Sequence, residues 1–386
     1  MKGFRKFIAV SIAAAMTAAC FTGCSSSPTS SAATAAAPAA TAAAPSVAAA
    51  AASAPAGAAA ANTPVSFPVP AKPYVIGFSN YGVGNSWRVQ MEAEFKAEAD
   101  RLKAAGVIGD YTMLDSNGDI AKQISDVKDL ITKKVDAIVI SAASPDALSP
   151  VCEQAEAAGI KVVSFDNDVT TDKITAHVNI DEVAFGTAGA QWLVQKLNGK
   201  GNIVVLNGIA GTSVNNDRWN GANAVFQQYP DIKILGNANA DWDYAKGKTA
   251  VEGFLSAYPQ IDGVWSQGGA MTQAALDAFV AANRPLVPMT GEANNGLLKE
   301  WKQYMGQGFD SVAPAEPTYL SANALDTAIS ALEGNPVDLH TVVTLPVITA
   351  DNLDQYVRTD LPDSFWNFTM LSPDQITALF ANGNDQ

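Results

Sequence analysis

From residue 74 onward, short apolar runs alternate with longer stretches whose apolar positions recur at helical spacing. The runs at 75–79, 111–115, 137–141, 162–165 and 176–180 predict β-strands. So do those at 202–206, 232–237, 263–266, 286–290 and 310–313, with a last one at 342–345. Helices are predicted at 89–105, 120–133, 182–197, 222–229, 244–257, 272–282, 296–305 and 320–332. Such alternation builds a mostly parallel sheet covered on both faces. The run Ala137-Ile138-Val139-Ile140 has no polar alternation, as a strand buried on both faces requires. Roughly 310 residues carrying about ten strands exceed what one core holds, so two α/β lobes are expected, with a break near Ile180.

The stretch 75–88, VIGFSNYGVGNSWR, stands out within this pattern. A buried strand runs into a glycine-broken polar loop that opens a helix near Ser86. In open α/β sheets, ligands lie outside the carboxyl ends of the strands, where such loops gather. This loop offers Ser79, Asn80, Tyr81, Asn85, Trp87 and Arg88.

The chain before residue 74 has a different character. Residues 1–24 have the plan of a bacterial export signal: Lys2, Arg5 and Lys6, then an apolar core too short to span a bilayer, then Phe21-Thr22-Gly23-Cys24. The ending resembles a lipobox, which makes Cys24 the expected lipidation site; Phe21 departs from the usual leucine. The alternative is plain secretion with Cys24 unmodified. Residues 25–73 are rich in Ala, Ser, Thr and Pro and have few large apolar side chains. They are expected to form an extended, mobile tether, because repeated proline interrupts any helix.

Charge removes whole function classes. The full chain carries 24 basic and 38 acidic residues. Loss of the three basic residues of the signal leaves 21 against 38, a net of −17 with histidine neutral. Nucleic acid and direct docking on an anionic membrane are therefore not expected. Of three cysteines, Cys20 and Cys24 lie in the signal, so Cys152 has no partner for a disulfide and is expected to pack in a helix.

Catalytic and cofactor signatures are also missing. His177 and His340 are the only histidines, and they are far apart in sequence with no cysteine or carboxylate at metal-ligand spacing. No metal site and no cofactor is expected. There is no Gly-x-Ser-x-Gly elbow. Gly82-Val83-Gly84 meets Trp87 where a dinucleotide fingerprint needs glycine. Gly247-Lys248-Thr249 resembles the end of a P-loop, but Trp242 stands at its first glycine and Lys248 lies in a helical pattern. No acid–base pair or nucleophile stands out, so an enzyme is not expected.

What recurs is a polar or aromatic residue at successive strand ends. These are Ser79-Asn80 with Asn85-Ser86-Trp87, Asp166-Asn167-Asp168, and Asn207 with Arg218-Trp219. Asp241-Trp242-Asp243, Gln267-Gly268-Gly269 and Glu292 with Asn294 continue the series. Flat rings pack on the C–H face of a sugar, while Asp, Asn and Arg bond its hydroxyls. Each residue singly has a plainer reading as a turn former, helix cap or, for Trp219 and Trp265, a packing residue.

In order and spacing, these segments, with LDSNGDIAKQISDVKDLITKKVDAIVISAASPDAL and HVNIDEVAFGTAGAQWL, resemble a type I periplasmic solute-binding protein of the ribose/galactose-binding branch. The resemblance covers about 74–345. It implies two Rossmann-like lobes with parallel sheets, joined by a three-stranded hinge with crossings near Ile180, Glu316 and Thr344. The lobes would be 74–180 plus 317–344, and 181–316 plus 345–386 with the tail. It implies a lipid-anchored, extracytoplasmic or periplasmic monomer that captures a sugar or polyol and delivers it to ABC transporter permease subunits. A nucleoside-like or cationic ligand, or presentation to a sensory receptor, are the alternatives. A lactose-repressor-type regulator shares the core fold but needs a DNA-binding segment where the signal and tether stand. Carried over residue by residue, the ligand set is Ser79, Asn85, Trp87, Arg88, Asp166, Asn167, Arg218, Trp242, Gln267 and Glu292. Arg88 takes the place of a second aromatic and is expected to pair with a loop carboxylate. Gly268, Gly269, Glu292 and Ala315 replace polar residues of the family, and the two glycines are expected to reshape the room for ligand.

Overall fold

The computed structural model describes residues 65–381. The signal, Cys24 and the tether up to residue 64 lie outside the described residues. The last tether residues, 65–73, have no regular structure but are not free: Phe67 packs on the first-lobe core and Arg101 Nη2 donates to the Val65 carbonyl at 2.7 Å.

The first lobe begins with β1 (Tyr74–Asn80), α1 (Ser86–Ala104), β2 (Ile108–Asp115), α2 (Ile120–Lys133), β3 (Ala137–Ile140), α3 (Pro145–Ala157), β4 (Lys161–Phe165) and β5 (Ala176–Asn179). The second lobe follows with α4 (Glu182–Lys196), β6 (Gly201–Asn207), α5 (Ser213–Phe226), β7 (Ile232–Asn239), α6 (Tyr244–Ala257) and β8 (Gly263–Ser266). It continues with α7 (Gly269–Ala281), β9 (Met289–Thr290), α8 (Asn295–Tyr304) and β10 (Ser311–Pro314). The chain returns to the first lobe in α9 (Leu320–Leu332) and β11 (His340–Val342), then to the second in β12 (Val347–Ile348), and ends in α10 (Pro373–Phe380).

One sheet has the order β11-β5-β4-β3-β1-β2, and every pairing is parallel. The other runs β12-β10-β9-β8-β6-β7, parallel except for the antiparallel pair β10–β12. The central strands β3 and β8 are buried along their whole length, which suits the unbroken apolar run of β3, while β8 ends on Ser266, whose hydroxyl is hydrogen-bonded. Aspartate or asparagine caps several helices: Asn85, Asp119, Asp181, Asp243 and Asn294 each accept from a backbone N–H of the first turn.

The chain changes lobes after β5, between β10 and α9, and between β11 and β12. The strand expected at 342–345 is therefore two short strands in different sheets, with the crossing between them. Helix α5 starts nine residues before its expected position, with Thr212 as its cap, and this places Arg218 inside a helix rather than on a loop. Cys152 is buried in α3, and Trp265 lies in the second-lobe core with Trp219 packed against it.

The tail departs from its expected grouping with the second lobe. Leu353 and Phe368 belong to the second-lobe core, while Trp366 belongs to the first-lobe core. Asn295 of α8 bonds the carbonyls of Arg358, Leu361 and Pro362, and Asn294 bonds that of Asp363. A few residues later Gln90 of α1 both donates to the Trp366 carbonyl at 2.9 Å and accepts from its N–H at 3.1 Å. Beyond it, Leu371 and Ile376 pack with Ala93 and Ala97 of α1. The tail is thus a fourth tie between the lobes.

Candidate functional site

A cleft lies between the lobes at the carboxyl ends of the strands, with about 330 Å³ of space between its walls, part of it open to solvent. Tyr81, Asn85, Trp87, Arg88 and Asp166 line it from the first lobe, and Val214, Arg218, Trp242 and Glu292 from the second. Glu316 enters from a crossing and Trp366 from the tail. The walls meet beside it: the Asp168 N–H donates to Ser213 Oγ at 2.8 Å, and Trp87 Nε1 donates to the Glu316 carbonyl at 2.9 Å.

The first-lobe wall is organised around Arg88. The Asn85 cap starts α1 so that Trp87 and Arg88 fall in its first turn, facing the strand ends. Arg88 bonds Asn80 Oδ1 at 2.9 Å and Ser141 Oγ at 3.3 Å, and forms a buried ion pair with Asp166. Asp166 in turn accepts from Ser141 Oγ at 2.5 Å and from Asn167 Nδ2 at 3.0 Å. It sits at φ +53°, a left-handed turn that an aspartate tolerates better than most residues. Burial opposes the Arg88 charge, but Asp166 and Tyr81 together outweigh it, and the pKa is raised. The guanidinium also lies 3.8 Å over the Tyr81 ring centroid, which covers one of its faces.

The second-lobe wall is organised around Arg218, and it is more acidic. Arg218 Nε donates to Glu182 at 2.6 Å, Nη2 to Glu316 at 2.7 Å, and Nη1 to the Gln267 carbonyl at 3.0 Å; Glu292 lies 3.5 Å from Nη2. All four side chains are nearly inaccessible to solvent. Close approach of α4 and α5 places this arginine. A Cβ at Gly186 would stand 1.8 Å from the Arg218 carbonyl oxygen, and one at Gly221 only 2.1 Å from that of Val183. Burial raises the carboxyl pKa of all three glutamates, against the pull of Arg218. Glu182 reaches about 7, and Glu316, which also feels Glu182 and Asp166, lies well above the usual carboxylate range. One arginine does not neutralise three carboxylates in a low-dielectric site, so protons do the rest. A protonated carboxyl is a hydrogen-bond donor as well as an acceptor.

Trp242 completes this wall from a left-handed pair, Asp241 and Trp242, both at φ +55°. Its ring occupies space that only glycine leaves open. A Cβ at Gly208 would lie 2.1 Å from the ring, and one at Gly268 2.7 Å. The two glycines thus act on the ligand space through the groups they admit. Gly268 makes room for the indole, and Gly269 makes room for backbone, where a Cβ would sit 2.6 Å from the Glu292 carbonyl oxygen.

Seven of the ten expected ligand residues reach the cavity: Asn85, Trp87, Arg88, Asp166, Arg218, Trp242 and Glu292. Ser79, Asn167 and Gln267 stand behind its walls. Ser79 accepts from Gln123 at 3.2 Å, Asn167 braces Asp166, and Gln267 Nε2 bonds Asn207 and Asn215. Sequence reasoning missed Tyr81, Val214, Glu316 and Trp366 as lining residues. Tyr81 was visible in the polar loop. Glu316 was overlooked because family alignment points to its neighbour Ala315. Trp366 stood in an aromatic tail segment with no periodicity to place it.

Three lining residues keep buried polar atoms without a protein partner: Tyr81 Oη, Trp242 Nε1 and Glu316 Oε1. Natural proteins satisfy nearly all such atoms, so their convergence on one cavity points to a ligand that bonds them.

Two parallel-sheet lobes joined by three crossings around a polar cleft define the type I periplasmic binding protein fold. The chain belongs to the periplasmic binding protein domain family, which matches residues 76–336. It is 32% identical over 240 residues to the xylitol-binding protein of Mycolicibacterium smegmatis, covering 62% of this chain and 68% of that one. It is 27% identical over 266 residues to the ribose import binding protein RbsB of Bacillus subtilis, covering 69% and 84%. Among solved structures, an ABC transporter solute-binding protein from Thermobispora bispora superposes with a TM-score of 0.70 at 29% identity, covering 81% and 98%. These relatives are solute-binding transport proteins rather than enzymes. Among the described residues, no helix is long and apolar enough to cross a membrane.

Proposed function

We propose that this protein captures a neutral polyhydroxylated small molecule, a sugar or a polyol, in the cleft between its lobes and delivers it to an ABC-type permease. One observation carries the reading: indole and phenol walls converge with unpartnered donors and acceptors on one cleft. Three indoles and one phenol supply flat apolar surface, and Tyr81 Oη, Trp242 Nε1 and Glu316 supply bonds for hydroxyls. Both arginines are already engaged by carboxylates, so neither is free to hold an anionic ligand. Relatives named for xylitol and for ribose support a five-carbon sugar or polyol.

Ligand would favour the closed arrangement because residues of both lobes reach it only there. The lipobox-like ending at Cys24 supports anchoring to the membrane, with the 25–73 tether giving reach; Cys24→Ser should move the protein from the membrane to the soluble fraction. Tryptophan fluorescence during titration with pentoses, hexoses, furanoses and polyols tests the ligand class. A saturable change with one of them is expected. Absence of any response across the panel, with a response to a cationic or nucleoside ligand, would overturn it.

A further inference from the structure

The two histidines, remote in sequence, meet in space. Strands β5 and β11 pair in parallel with His177 opposite His340, so both side chains emerge on one face. Their rings stack with centroids 4.8 Å apart and an interplanar angle of 13°. Asp172, from the loop before β5, completes the group. Its Oδ1 lies 3.7 Å from His177 Nε2 and 3.5 Å from His340 Nε2. The three candidate donor atoms all fall within 4.8 Å of one another.

A second observation concerns His177 alone. Its side chain is only 7% exposed, and Nδ1 lies 3.1 Å from Asp168 Oδ1, while Nε2 has no hydrogen-bond partner. In the tautomer whose Nδ1–H donates to Asp168, the lone pair lies on Nε2. That is the tautomer of a metal-ligating histidine with an outer carboxylate. Asp168 is itself held, accepting from Ser164 Oγ at 2.7 Å and from Asn179 Nδ2 at 3.1 Å.

We propose that Asp172, His177 and His340 bind a divalent transition-metal ion of the zinc class. Bonds of 2.0–2.2 Å in a tetrahedron put donor atoms about 3.3–3.6 Å apart, close to the two separations from Asp172, and the exposed His340 ring must turn out of the stack for both Nε2 lone pairs to meet one ion. Two imidazoles and one carboxylate suit zinc, nickel or copper and disfavour calcium and magnesium, which take oxygen. Three protein ligands leave a fourth position facing the groove lined by Asn179, Asp181 and Asp217. The ion would clamp β5 to β11 just where two of the three crossings leave the first lobe. This inference does not rest on the sugar reading, because none of the three residues lines the ligand cavity.

The test is zinc titration of the full chain, without a histidine tag and after chelator treatment, followed by calorimetry and thermal unfolding. One zinc per chain is expected, with a higher unfolding temperature that chelator reverses. His340→Ala and Asp172→Asn should each weaken zinc binding tenfold or more, to the level of an incomplete site. The His340 side chain is 60% exposed, so its variant should fold, and sugar-dependent fluorescence checks this independently. No saturable zinc binding, or equal affinity in His340→Ala, would overturn the proposal.

Discussion

The two arginines of the cleft solve one problem in different ways. Arg88, in the first lobe, faces a single carboxylate, Asp166, and neutral polar groups take its other bonds. Arg218, in the second lobe, faces three carboxylates from α4, from the loop after β9 and from the crossing before α9. The first centre is matched in charge. The second is over-acidic and ties a hinge crossing to the lobe through Glu316. The difference teaches that burial of a charge is tolerable by pairing or by protonation, and that only the second route makes a wall sensitive to pH.

Removing each arginine gives the largest contrast. Arg218→Met leaves three buried carboxyls without a cation and should cost about 3–5 kcal/mol or more in urea unfolding. Arg88→Met leaves one, and should cost less. Equal losses would mean that the three glutamates do not act as one cluster.

The aromatic walls differ in a parallel way, because Trp87 Nε1 is tied to the Glu316 carbonyl while Trp242 Nε1 has no protein partner. Trp87→Ala should lower ligand affinity by about 2 kcal/mol or more, since it removes a ring and loosens the crossing. Trp242→Phe keeps a ring and removes one donor, and about 1 kcal/mol is expected by titration calorimetry. A larger loss for Trp242→Phe would reverse the roles assigned to the two indoles.

The pH response sharpens the comparison further. Glu182 and Glu316 have raised pKa values in the folded state, against a reference of 4.5. The folded chain therefore holds protons that the unfolded chain releases. Their contribution is fully present below about pH 4.5 and is lost as pH rises through the folded values, near 7 for Glu182. Unfolding free energy should fall as pH rises from about 4.5 through 7, and Glu316→Gln should shrink that fall. An unchanged slope in the variant would remove the protonated-carboxyl account of the second wall.

The smallest effect is expected where the tail docks. Glu94 of α1 is buried to a pKa of about 7 while accepting from Thr318 Oγ1, Thr369 Oγ1 and the Met370 N–H. Its stabilisation follows the same sign, present at low pH and lost as pH rises through 7. Glu94→Gln keeps an acceptor for these donors and should flatten the response by about 1 kcal/mol, seen as less protease cleavage of the tail at pH 8. Equal cleavage of wild type and variant would separate the tail from this carboxyl.

Much of the fold was legible in the sequence. Helices α2, α6 and α9 match their expected ranges residue for residue, and the central strand β3 announces itself by an unbroken apolar run. Local periodicity carries that information. The expected pairing of Arg88 with a loop carboxylate is the Arg88–Asp166 bridge. What local pattern does not carry is register between distant strands. Nothing near His177 in the chain signals His340, and nothing near Arg218 signals three glutamates drawn from separate elements. Trp366 was hidden for a different reason: its tail is fixed by side chains such as Asn295 and Gln90 bonding its backbone, which leaves no periodic trace.

The central claim is that the cleft takes a neutral polyhydroxylated ligand rather than a charged one. Mass spectrometry of the molecule released on denaturing protein purified from its native envelope tests it most directly. The account predicts one sugar or polyol per chain, whose rebinding is weakened about thirtyfold or more in Trp87→Ala. A cationic or nucleoside-like molecule recovered in the same stoichiometry would contradict it.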